Sequence, residues 1–111
     1  MPSALEEEIL FSVERARRCL ESLVVRGLSS VAPEALGELR MLHGELERVG
    51  ASHLAERLSV LAERIEGAER DAPKFLLMAQ TSLRVFERVL TLEAARTELE
   101  RLANAREEPA S

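Results

Sequence analysis

The sequence predicts an all-α protein: an antiparallel four-helix bundle with a long C-terminal helix. Three observations predict it. Apolar residues recur at spacings of three and four through four separate runs. The breaks between the runs are only a few residues long and hold Gly, Ser, Pro or Asp. The 111 residues are 46% apolar and 32% charged, with Ala, Leu, Glu and Arg prominent, as in amphipathic helices. Short breaks make consecutive helices fold back side by side. The length suits one domain, expected over 1–106, with a disordered polar tail at 107–111.

Ser3 with Glu6 forms a capping box, so the first helix is expected to begin near Ala4. Its stripe is Ile9, Val13, Ala16, Leu20 and Leu23, and Gly27 supplies a left-handed stop. Ser29 and Ser30 precede Pro33, which suits a first helical turn, and the second stripe is Ala35, Leu39, Leu42, Leu46 and Val49, ended by Gly50. Ser52 is expected to cap the third helix, with a stripe of Leu54, Leu58, Leu61, Ile65 and Ala68. Asp71 and Pro73 open a fourth helix that meets no breaker until about Ala105. On the first and fourth helices the stripe is broader than a heptad seam, which favours a globular bundle over an extended coiled coil.

Composition argues against several functions. There is no Trp or Tyr and there are three Phe, so stacking platforms for single-stranded nucleic acid are lacking. The net charge of -5, with Arg interleaved among Glu, argues against phosphate-backbone binding, and no nucleic-acid partner is expected. One cysteine and two histidines make no metal framework, and no cofactor is expected. The N-terminal stretch is acidic where a signal peptide would be basic, and no apolar run approaches bilayer length, so a cytoplasmic protein without a membrane partner is expected. No Gly-rich phosphate loop, Ser/His/Asp set or carboxylate pair appears, and an enzyme is not expected. Cys19, beside Ala16 and Leu20, reads as a small buried hydrophobe, and Glu6, Glu7 and Glu8 complement the first helix's dipole.

The stretch Arg40-Met41-Leu42-His43-Gly44, followed by Val49-Gly50-Ala51 and Leu54-Ala55, carries a pattern. It resembles the histidine-containing phosphotransfer (HPt) domain, a four-helix bundle whose signature reads His-x-x-Lys-Gly, then a hydrophobic residue and Gly-Ala, then Leu-Ala. About 16 residues match directly, in the right helix order. The match departs at the reactive position. Arg40 stands where the family has its phosphoryl-accepting histidine, and a guanidinium stays protonated and is no nucleophile. His43 stands at the family's lysine. The resemblance therefore implies a degenerate domain, without catalytic residues, that docks a receiver domain in signalling but does not take its phosphate.

Helical phase identifies the surface such docking would use. At about 100° per residue, the second helix turns Gly37, Arg40, Met41, Gly44 and Arg48 away from its Leu39–Leu46 stripe. Two glycines on one helix face suggest close approach of another backbone, from a receiver or from a second copy of the chain. His43, at the edge of the stripe, is expected to pack its ring and bond to a neighbour; His53 is expected on the surface. The partner-binding candidates are Gly37, Arg40, Met41, His43, Gly44 and Arg48.

The last helix changes face along its length. Phe75, Ala79, Leu83, Phe86 and Leu90 define one side; Glu93 and Thr97 then occupy it, while Leu92, Ala95, Leu99 and Leu102 gather roughly opposite. Leu77, Phe11 and Val25 lie off their stripes and add apolar surface. A dimer or partner interface is expected at Leu92, Ala95, Leu99 and Leu102, with a homodimer the simplest closed form. A protein-protein interaction domain is the function expected, with a homo-oligomeric structural or scaffold bundle unrelated to phosphorelays as the alternative.

Overall fold

The computed structural model describes residues 4–107. Among them are four helices and no strand: α1 (Ala4–Arg26), α2 (Pro33–Arg48), α3 (Ser52–Glu66) and α4 (Ala72–Glu107). The proposed cap at Ser3 and residues 108–111 of the expected tail lie outside the described residues, while Glu107, expected in the tail, is the last residue of α4.

The four pack in a ring, α1 beside α2 and α4, α3 beside α2 and α4. Cross-helix pairs show the antiparallel order. Glu8 and Arg15 of α1 meet Arg48 and Glu45 of α2; Arg40 and His43 of α2 meet Glu66 and Ala55 of α3; His53 and Arg64 of α3 meet Ser82 and Phe75 of α4. Rising numbers on one helix meet falling numbers on the next.

The core is aliphatic. Leu20, Leu39, Leu42, Leu46, Leu54, Leu58 and Leu61 are fully buried, with Val13, Ala16, Leu23, Ala55, Ala62, Leu76, Ala79 and Leu83 filling between them. Each buried leucine contributes about 1.5–3 kcal/mol from water exclusion alone. Cys19 is among these residues, and burial, with a smaller push from Glu38 against a pull from Arg15, raises its thiol to about 11.

The turns show how the chain reverses. Gly27, at φ +82°, donates its N–H to Leu23 O at 2.8 Å. Gly50, at φ +90°, donates to Glu47 O while Ala51 donates to Leu46 O, a Schellman closure that satisfies carbonyls at the end of α2. Ala51, not Ser52, then occupies the cap of α3: its carbonyl accepts from Ala55 N at 2.9 Å, no side chain caps the helix, and Ser52 is already helical. Ala68 also departs from expectation. It is exposed and left-handed at φ +51°, because Ala68 N and Glu69 N close α3 on Ile65 O and Arg64 O.

Candidate functional site

Two surfaces qualify, one on α2 and one on α4. On α2, helical phase holds: Leu39, Leu42 and Leu46 face inward, while Gly37, Arg40, Met41, Gly44 and Arg48 are exposed. A Cβ placed on Gly37 or Gly44 meets nothing within 4 Å, so neither glycine is required by packing inside the chain. The charged members are held by neighbours. Arg40 pairs with Glu66 at the end of α3, and Arg48 with Glu8 of α1, which holds the Arg48 guanidinium above its ordinary value. Met41 leans toward α1, its Sδ 3.9 Å from Arg15 Nη2.

His43 does not share that face. It is half-buried and turned toward α3, with Nδ1 2.9 Å from Ala55 O. A carbonyl can only accept, so in the neutral ring Nδ1 carries the proton and Nε2 holds the lone pair. The structure thus brings together five of the six α2 candidates and sets His43 to one side.

On α4 every residue from Thr91 to Arg106 is exposed. Leu92, Leu99 and Leu102 are 60%, 67% and 52% exposed, and Ala95 is exposed beside them. The molecule measures 67 × 22 × 21 Å. Phe11 and Val25 of α1 and Leu77 of α4 are exposed too.

Upstream on α4, a groove of about 640 Å³ opens against the start of α3. Leu54, Met78 and Phe86 line it, with Leu77, Val85 and Val89 along the α4 side. Its polar rim is Arg57 and His53, whose Nδ1 bonds Ser82 Oγ at 2.9 Å. Sequence reasoning singled out Leu77 but not Val85 or Val89. Their spacing of four from Leu77 through Thr81 was the available signal, though the groove also needs α3, which no local pattern places.

Among the described residues no cluster of three His, Cys, Asp or Glu side chains could hold a metal ion, and no helix is long and apolar enough to cross a membrane. No family model, curated protein or solved structure matches the chain.

Proposed function

We propose that the protein is a non-catalytic, cytoplasmic protein-protein interaction domain whose binding element is the outward apolar face of α4. The observation that carries this reading is the run from Thr91 to Arg106, helical and exposed at every residue, with three leucines in water. A helical segment of this length is marginal alone in water, because propagation barely outweighs nucleation without a packed face. Its leucines therefore favour a partner. Hydrogen exchange on the dilute, monomeric chain tests this: amides of 91–106 should exchange far faster than those of α2 and α3. Protection of 91–106 in the monomer would mean that the segment packs on its own bundle, and would overturn the reading.

A second reading, receiver docking on α2 as the HPt resemblance implies, is favoured by the open space over Gly37 and Gly44. Gly44→Leu should then leave the bundle folded, stabilised by up to about 1 kcal/mol, and abolish binding to a receiver domain. Unimpaired receiver binding by this variant, or no binding by the parent chain, would remove that reading.

A further inference from the structure

We propose that the partner of α4 is a second copy of this chain, packed antiparallel so that the distal half of each α4 fills the other copy's α3–α4 groove. This rests on the reading of α4 as the binding element. The groove and the distal leucines belong to one stripe: Met78, Val85, Val89, Leu92, Leu99 and Ala103 fall at heptad positions, with Ser82 and Arg96 completing the alternation of four and three. The core stripe of α4 lies on another side and ends at Leu90.

Length sets the register. The groove side runs from Leu77 to Val89, about 18 Å at 1.5 Å per residue, and the distal stripe from Leu92 to Ala103, about 17 Å. A two-fold axis crossing α4 near residues 90–91 superposes each on the other. Val89 then faces Leu92 of the second copy, Val85 faces Arg96, and Leu99 enters the groove over Ser82. One contact builds both halves and closes the assembly at two copies.

Charge selects antiparallel over parallel. Phe86 lies on the flank of the stripe that lines the groove against α3, and Glu93 and Glu100 follow it at intervals of seven on the same flank. A two-fold axis perpendicular to the helices keeps that flank on its own side, so Glu100 of one copy arrives beside Arg57 of the other. Arg57 lines the groove and has no ion-pair partner among the described residues. A parallel pair would carry Glu93 and Glu100 to the opposite side and bring the two Arg96 guanidiniums together at the seam. In the antiparallel register Arg96 meets Val85 and keeps its bond to Glu100 at 3.1 Å.

The test uses the full chain. Light scattering should give twice the chain mass; a monomer at millimolar concentration, or a larger assembly, overturns the proposal. In a Cys19→Ser background, Val85→Cys combined with Arg96→Cys should oxidise to a disulfide-linked dimer, while each single variant should not. Single variants that cross-link as readily as the pair would indicate parallel packing and overturn the register. Arg57→Glu and Glu100→Arg should each raise the dimer dissociation constant about fivefold, and their combination should restore it; a combination weaker than either alone overturns the Arg57–Glu100 contact. A monomer whose amides 91–106 exchange freely defeats only this proposal. Protection of those amides in the monomer defeats the interaction reading itself.

Discussion

From Ala72 to Leu90, α4 runs against α1 and α3 and buries Ala72, Leu76, Ala79, Ser82 and Leu83; from Thr91 to Arg106 the same unbroken helix buries nothing. The two halves share residue types, with Leu, Ala, Arg and Glu in both. What separates them is phase relative to neighbours. In the first half one apolar stripe points at α1 and α3; in the second, Glu93 and Thr97 hold that direction and the leucines point elsewhere. Helical continuity follows from local propensity and the absence of Gly or Pro beyond Pro73 in the first turn, whereas burial requires another element at the right angle.

The comparison is broken or upheld most directly by paired leucine truncations. Leu58, fully buried, should lose about 2–5 kcal/mol on replacement by Ala, since a cavity remains among rigid neighbours. Leu99→Ala should change the stability of the dilute chain by no more than about 0.5 kcal/mol. Urea denaturation of both variants measures the contrast, and similar losses would mean the distal half is packed within the monomer.

Cys19 sharpens the same contrast through pH. Its thiol is pushed up to about 11 against an ordinary 9.0, chiefly by burial in the core. The folded state therefore holds the proton longer than the unfolded chain. Stability from the neutral thiol is complete below about pH 9 and is lost as pH rises through about 11, a fall on the order of 1–3 kcal/mol. Cys19→Ala should flatten the alkaline slope, whereas a chain ending at Leu90 should keep it, because the slope belongs to the packed half. Loss of the slope on truncation would tie the distal helix to the core.

The bundle itself was readable because each inward stripe repeats at three and four and each break carries a stop or start residue. The face change on α4 was readable for the same reason. Positions decided by backbone closure were not. Ser52 looks like a cap, but the Schellman turn at Gly50 and Ala51 moves the cap back by one residue. Ala68 continues the spacing of α3, yet its carbonyl-satisfying turn needs a left-handed residue there, while neighbouring Gly67 stays at φ -79°. The His53–Ser82 bond spans 29 positions and depends on how α3 and α4 align, which no local spacing encodes. The mismatch at Ala68 is itself testable. Ala68→Gly should relieve the left-handed strain and stabilise the packed half by about 0.5–1 kcal/mol in thermal or urea unfolding, and a destabilised variant would mean that the turn tolerates Ala without strain.

The smallest effect is expected at the boundary between the two halves. Arg17 of α1 reaches Glu87 of α4 with Nη2 to Oε2 at 2.9 Å, the polar link between these helices where α4 leaves the bundle. The bond from Glu87, more than its charge, raises the Arg17 guanidinium further above its ordinary value, and Glu14 holds the same guanidinium at 2.9 Å. Glu87→Gln therefore removes the tie to α4 without leaving Arg17 unpaired. Both side chains are partly in water, where such pairs contribute little and are screened by salt. Global unfolding should be unchanged. Amides just beyond residue 87 should exchange a few times faster at low ionic strength, and the difference should vanish in about 1 M salt, where the Debye length is about 3 Å. A large drop in global stability would instead show that the tie holds the packed half together and not merely its end; with global stability unchanged, the site of accelerated exchange marks where packing by α1 and α3 gives way to a helix that depends on a partner.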